Sequence, residues 1–304
     1  NKKEKILKIL ISVFISVTLI IGSTYLTQNY YDISWDGNSY HKDAVGLLKN
    51  GWNPIYDDYI DYYEKLGNRN MDFIGDKVEL THGFWQTYYP KATWHIGASF
   101  YAITKNIESG KVYNIIGILI TFTLVLNVIF KITNKFCASI LISLLLSLNP
   151  ISIVQCFNYY NDGFMGNLLM TLIFYMTLLA LDKKETNKIE LYTILSCLLL
   201  ILINIKFTGF GYAGIFCLPY FLIFTYKKIK ENNIKELIKS SVIFLTIVLF
   251  SVCIVGFSPY ITNLKEGLPI FYPLMGENKV DIVTHNQTVL FNDKSTIYKF
   301  AKFI

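Results

Sequence analysis

The sequence predicts an all-α, polytopic membrane protein with about seven transmembrane helices. Of its 304 residues, 53% are hydrophobic and only 16% are charged, and the mean hydropathy is +0.39. Soluble domains carry about 25% charged residues, so this chain lacks the polar surface that water requires. Aromatic residues reach 16%, which suits a protein anchored at two membrane–water interfaces. These observations exclude a soluble enzyme, a nucleic-acid-binding protein and a disordered chain.

The transmembrane segments follow from the length of the apolar runs, because a spanning helix needs about 20 mainly apolar residues. The runs that qualify cover residues 6–27, 112–131, 136–156, 164–181, 189–205, 208–226 and 240–257. The first run is too long for a signal peptide and no A-x-A-like cleavage site follows, so we interpret it as an uncleaved anchor. Residues 1–304 then form one membrane domain. The short stretch 204–209 is all that separates the fifth and sixth segments.

The orientation follows from the basic residues in the loops, which favour the cytoplasmic side. The N-terminus and the short loops 131–135, 182–188 and 227–239 together hold 14 lysines. The opposite side holds the long loop 28–111, with eight basic and eleven acidic residues, and the tail 258–304. We therefore expect a cytoplasmic N-terminus, and the net charge of +6 reflects topology rather than a nucleic-acid partner. We also expect the tail to continue into a further C-terminal part.

The first outer loop, residues 28–111, is too long to serve only as a connector, and loops of this length are usually functional. It is rich in tyrosine and tryptophan and has few long apolar runs. We expect short amphipathic helices on the membrane surface at about 40–50 and 91–107. The loop is therefore the predicted active-site loop.

Asp36 is the first candidate catalytic residue of this loop. A carboxylate held at the membrane interface is suited to act as a general base on an acceptor hydroxyl at the outer leaflet. The alternative is that Asp36 caps the helix that follows it. His41, five residues further on, is a candidate partner of this carboxylate.

Two further charged residues lie in positions that suggest a site. Lys91 follows a proline among aromatic residues, where it could bind a lipid phosphate as a point charge; the alternative is ordinary snorkelling to head groups. Asp162 lies in the short outer turn 157–163 between two predicted spans. A carboxylate at the membrane surface is costly unless it is paired or functional, which makes Asp162 a candidate.

The order of these elements resembles the GT-C superfamily of membrane glycosyltransferases. It is most similar to the branch of protein O-mannosyltransferases and lipid A aminoarabinose transferases (glycosyltransferase family 39-like). That branch carries a D-E-x-x-Y motif after its first span, which residues 36–40 match at Asp36 and Tyr40, with Gly37 in place of the second acid. Residues 90–101 are similar to the K-P-P-like turn and helix of the family, and Asp162 matches a carboxylate of its second outer loop. Residues 258–276 resemble a pattern of uncharacterised bacterial members.

The resemblance implies an inverting transfer of a sugar from a polyprenyl-phosphate donor to a glycan, lipid or protein acceptor at the outer face of a bacterial cell membrane. Asp36 is then the general base, and Lys91 holds the departing phosphate. Asp162 orients the acceptor or, together with Asp36, holds a divalent metal such as Mg or Mn. Besides Lys91, the residues that we expect to bind substrate are Tyr40, His41, Tyr89 and His95.

A second interpretation is a lipid or glycan transporter or flippase without catalytic activity. Transporters place charged groups in mid-membrane and are often built from repeats, whereas these spans hold few charges and no internal repeat is visible. Asn204 and Lys206 are the main polar exceptions. The acids gather in the outer loops, which favours the enzyme. A zinc site built from three of the four histidines is conceivable, although they are far apart in sequence.

Overall fold

The protein is an all-α membrane protein, as predicted. The computed structural model describes residues 2–59, 61–62, 83–181 and 188–276, and these residues contain helices and no β-strand. In chain order the helices are α1 (Lys2–Gln28), α2 (Lys42–Lys49), α3 (Phe84–Tyr88), α4 (Ala92–Thr104), α5 (Tyr113–Thr133), α6 (Phe136–Ser147), α7 (Pro150–Gln155), α8 (Asp162–Leu181), α9 (Lys188–Ile205), α10 (Phe207–Lys230), α11 (Ile234–Phe250) and α12 (Thr262–Lys265). Short π-helical or 3-10 turns precede α2 (Gly37–His41) and α5 (Ile107–Val112) and follow α11 (Ser251–Val255 and Phe257–Ile261).

Several of these helices are long and apolar enough to cross a membrane, so the chain is a multi-pass membrane protein. In the described residues the five segments that meet this requirement are Lys3–Gln28, Ile107–Thr133, Asp162–Leu179, Phe207–Lys230 and Ile234–Val255. Two further apolar helices, Phe136–Ser147 and Glu190–Ile205, are shorter. The predicted number of seven spans therefore stays a prediction.

The predicted segment 136–156 is not one continuous helix. Helix α6 ends at Ser147 and α7 begins at Pro150, because the Asn149 side chain accepts a hydrogen bond from the Ser152 N–H at 3.0 Å and caps a new helix. Proline is well suited to the first position of a helix, where its missing N–H costs nothing. The Asn-Pro pair was the signal in the sequence that our segment boundaries overlooked.

The junction between α9 and α10 lies inside the predicted boundary 204–209. Lys206 is extended there, between helices that end at Ile205 and begin at Phe207. A Cβ at Gly209 would overlap the backbone oxygen of Leu202, so the two helices approach closely at this corner. The break places the Lys206 side chain at the end of the helix pair rather than along a helix face.

The helices of the membrane region pack through polar as well as apolar side chains. Thr121 of α5 donates to the backbone oxygen of Asn167 in α8 at 2.9 Å, and its hydroxyl lies 3.1 Å from that of Thr171. Side-chain hydrogen bonds of this kind hold helices together in lipid, where the apolar surface supplies little net attraction. In contrast, α1 is exposed along most of its length and packs mainly at its C-terminal end.

Helices form at both positions predicted for the outer loop, as α2 and α4. They pack on each other and on the turn Ile107–Val112, and Gly97 of α4 lies directly against Gly110 of that turn. Thr93, Trp94 and Ala98 are buried in this contact. The α2–α4 pair thus forms the platform from which the candidate site is built.

Candidate functional site

The Asp36 carboxylate does not cap a helix, so that alternative is wrong. Its backbone is already helical, and within the described part of the chain its side chain caps no backbone N–H. The hydroxyl of Ser34 takes that role by accepting a hydrogen bond from the Gly37 N–H at 3.2 Å. The half-buried Asp36 carboxylate instead accepts a hydrogen bond from the Tyr40 hydroxyl at 3.1 Å, one helical turn away.

Tyr40 and Tyr89 both lie within the electrostatic influence of the two predicted catalytic acids. Burial raises the pKa of Tyr40, and the carboxylates of Asp36 and Asp162 raise it further. Burial, then Asp162 and Asp36, also raise the pKa of Tyr89. Both phenols therefore stay protonated near neutral pH and remain hydrogen-bond donors. Residues that lie far apart in the sequence thus share one electrostatic environment.

Lys206 is the cation of this site. Its ammonium lies 2.5 Å from Oδ1 of Asp162, and both side chains are partly exposed. An ion pair at such exposure adds little to stability, so its main effect is to place a positive charge beside Asp162. The sequence marked Lys206 only as a polar exception near a helix end. We refer to Asp36, Tyr40, Tyr89, Asp162 and Lys206 as the acid–tyrosine cluster.

His41 lies behind this cluster. It is 2% exposed, its Nδ1 accepts a hydrogen bond from the Trp94 Nε1–H at 2.6 Å, and its ring lies 4.3 Å from that of Tyr40. Burial, together with the charge of Lys206, lowers the pKa of His41 to about 3, so the imidazole is neutral. The side chain is enclosed, and its contact with a substrate stays a prediction. In this arrangement His41 supports Tyr40.

Lys91 is buried, not snorkelling. Only 2% of its surface is exposed, and its ammonium donates to the backbone oxygens of Thr87 and Tyr89, both at 2.9 Å. Burial lowers the pKa of Lys91 to about 7, which the charge of Glu266 partly opposes. Its contact with a lipid phosphate stays a prediction. Two of the three N–H donors of the ammonium already bind these backbone oxygens, which leaves one for a phosphate.

His95, the remaining predicted substrate residue, is exposed and lines a groove beside Trp52 and Pro54 rather than the acid–tyrosine cluster. The other two histidines, His82 and His285, lie outside the described residues. A zinc site built from three of the four histidines therefore has no support in the described part of the chain.

A second group of charges lies beside the cluster and was missed by the sequence reasoning. Asp32, Lys42, Glu108 and Lys111, which we call the buried charge cluster, are joined by ion pairs and hydrogen bonds. Glu108 accepts from Lys42 at 2.8 Å and from Lys111. The spacing of Glu108 and Lys111, three residues apart, is a pattern that sequence analysis could have used.

The residues present suit a divalent metal poorly. Asp162 is already paired with the ammonium of Lys206, which repels a second cation at that carboxylate. Among the described residues, no group of three histidine, cysteine or acidic side chains could hold a metal ion. No step of the proposed chemistry is therefore assigned to a metal.

Comparison of the chain with family models, with curated proteins and with solved structures finds no match in any of the three.

Proposed function

We propose that the protein is an integral-membrane glycosyltransferase that transfers a sugar from a polyprenyl-phosphate donor to an acceptor hydroxyl, with inversion, at the outer membrane face. The observation that supports it most is the half-buried Asp36 carboxylate, which accepts a hydrogen bond from the Tyr40 hydroxyl at 3.1 Å. This carboxylate does not cap a helix. Together with Asp162 it raises the pKa of the Tyr40 and Tyr89 hydroxyls. A carboxylate left partly open beside hydrogen-bond donors is suited to proton transfer.

The proposed reaction uses each member of the cluster once. Asp36 takes the proton of the acceptor hydroxyl, whose oxygen forms a bond to the anomeric carbon of the donor sugar. The bond from that carbon to the phosphate oxygen breaks, and its electron pair stays on the departing polyprenyl phosphate. Negative charge grows on the phosphate, so a cation nearby stabilises the transition state more than the ground state.

Lys206 is better placed for that electrostatic role than the buried Lys91. It is partly exposed, and its ion pair with Asp162 leaves two of its N–H donors for a ligand. Asp162 then holds Lys206 in position and orients the acceptor. Tyr40 and Tyr89 donate hydrogen bonds to oxygen atoms of the bound substrates.

The test is transfer by the purified full chain in lipid nanodiscs, supplied with polyprenyl-phosphate sugars and a mixture of glycan acceptors. Asp36→Asn should lower the rate by about 10²–10⁴-fold, because the amide cannot take the proton while its oxygen still accepts from Tyr40. Asp57→Asn is the matched control, since Asp57 lies in the same loop and its carboxylate accepts a hydrogen bond from the Asn53 N–H at 3.2 Å. Its rate should equal that of the wild type.

Two results would contradict the proposal. Equal transfer by wild type and Asp36→Asn would remove the general base. Movement of the lipid-linked sugar across vesicle membranes, without transfer to any acceptor, would favour the transporter interpretation.

The proposed topology places the N-terminus in the cytoplasm and the site outside. Tyr56 is 83% exposed in the first outer loop, and Asn232 lies between α10 and α11 on the opposite predicted side. In a variant without native cysteines, a cysteine at Tyr56 should react with an impermeant thiol reagent in intact cells. A cysteine at Asn232 should react only after permeabilisation. The reverse pattern would invert the topology.

A further inference from the structure

Asp32 lies between the two turns that carry the catalytic candidates. It is 4% exposed and precedes Asp36 by four residues. Its Oδ1 accepts a hydrogen bond from the Ser34 N–H at 2.7 Å, at the start of the helical segment that holds Asp36. Its Oδ2 accepts from the Tyr159 N–H, also at 2.7 Å, in the turn that leads to Asp162. One carboxylate thus joins two segments separated by more than a hundred residues of sequence.

The Asp32 carboxylate is held in this position from several directions. The backbone N–H of Asp32 donates to Glu108 at 3.1 Å, and its backbone oxygen accepts from Asn38 at 3.0 Å and from Lys42 at 3.3 Å. Because both carboxylate oxygens and the backbone groups are engaged, the side chain has little freedom to take another rotamer.

Gly37 leaves the space that the Asp32 carboxylate occupies. It is buried, and a Cβ at this position would overlap Oδ2 of Asp32 and lie 2.7 Å from its Cγ. Gly46 lies nine residues further along the chain. At this glycine, no atom lies within 4 Å of the corresponding Cβ position. A methyl group at residue 37 should therefore displace Asp32, whereas one at residue 46 should not.

We propose that Asp32 is a positioning residue whose carboxylate clamps the Ser34 and Tyr159 amides and thereby fixes Asp36 relative to the Asp162–Lys206 pair. The inference rests on the proposed function for its catalytic consequence, although the clamp itself does not depend on it. Asp32 is too enclosed to touch substrate, and its role is exerted through the two turns. A loosened clamp leaves both acids present and misplaces one relative to the other, which lowers kcat more than it changes KM.

The experiment compares Asp32→Asn and Gly37→Ala with the controls Asp57→Asn and Gly46→Ala, all in the full chain in nanodiscs. Asparagine has one acceptor oxygen and an NH₂ group, so it can accept from one of the two amides and not from both. Hydrogen exchange followed by mass spectrometry reports on the peptides that contain Ser34 and Tyr159. The kinetic constants for transfer and the thermal midpoint are measured on the same samples.

For Asp32→Asn and Gly37→Ala we expect at least tenfold faster exchange of the Tyr159 amide and a loss of kcat of about 10-fold or more, with KM within about twofold. The thermal midpoint of Gly37→Ala should lie below that of Gly46→Ala, because the added methyl group displaces a buried, hydrogen-bonded carboxylate. Both controls should retain the exchange rates and kcat of the wild type.

Three results are decisive. Unchanged exchange at Tyr159 in a folded Asp32→Asn or Gly37→Ala protein would overturn the clamp. Faster exchange with unchanged kcat would show that the clamp does not position the acids. If the wild type itself transfers no sugar, the proposed function fails, while the exchange measurement still decides whether Asp32 holds the two turns together.

Discussion

Asp32 and Asp36 are four residues apart in one loop, yet they belong to clusters of opposite character. The buried charge cluster encloses its charges: Lys111 is fully buried, Asp32 and Glu108 are each 4% exposed, and Glu108 faces two ammonium groups. In the acid–tyrosine cluster, Asp36 is half-buried, and Asp162 and Lys206 are 39% and 24% exposed at the side chain. Charged residues whose partners all lie within the chain therefore stabilise the structure. The same residue types are available for chemistry where part of their hydrogen-bonding capacity stays open to a ligand.

The two clusters should differ most in their contribution to stability. We expect the largest loss of stability from a change at Glu108. Glu108→Gln removes the carboxylate with which both Lys42 and Lys111 form ion pairs in a buried site, which should lower the free energy of unfolding by about 3–5 kcal/mol. Glu231→Gln is the control, because Glu231 pairs with Lys228 at the surface and such pairs contribute about 0–1 kcal/mol. Unfolding titrations in mixed micelles measure both. Equal losses in the two variants would erase the distinction between the clusters.

The next effect concerns activity and separates two lysines. Lys206→Met should slow transfer by about 10²-fold, since removing one group that stabilises transition-state charge costs about that much. Lys91→Met should slow it by less than about 10-fold, because the buried ammonium binds backbone oxygens instead of facing the acids. The rates with a polyprenyl-phosphate sugar decide. A larger loss for Lys91→Met would restore the phosphate-binding role predicted from the sequence.

The smallest effect is a pH dependence of stability caused by Lys91. Its pKa in the folded protein is lowered to about 7, from 10.5 for an ordinary lysine. Between these values the unfolded chain binds more protons than the folded chain, so stability should rise with pH. The increment from pH 7 to 9 is at most about 1.4 kcal/mol per pH unit, and it should vanish in Lys91→Met. Lys49→Met is the control, because the Lys49 ammonium is bound by Asn50 and lies over the Tyr101 ring at the surface; this variant should keep the wild-type slope.

The fold class could be predicted from composition and apolar run length, because a bilayer imposes both. The individual helix ends could not. Asn149 and Pro150 divide a predicted span, since local capping outweighs the average hydropathy of a window. The extended Lys206 lies where the sequence placed its least defined boundary.

The residues of the candidate site that lie in short sequence motifs could be predicted. Those whose role depends on contacts between distant parts of the chain could not. Asp36, Tyr40 and Asp162 were selected from local pattern, and the structure places Tyr40 under the influence of both acids. The partner of Asp162, Lys206, is 44 residues away along the chain, a pairing that no spacing rule anticipates. Asp32 looked like one more acid of a polar loop, because its burial depends on Glu108 and Tyr159.

The close approach of Gly37 to Asp32 has a consequence for the evolution of this protein. A side chain at residue 37 and a carboxylate at residue 32 compete for one volume, so the two positions cannot change independently. In homologues we expect glycine at the first to accompany aspartate at the second, and any larger residue at position 37 to accompany a small one at position 32. Such covariation would reveal the contact between residues 32 and 37 from sequences alone. It would also give a search for distant relatives two linked positions that lie in no common motif.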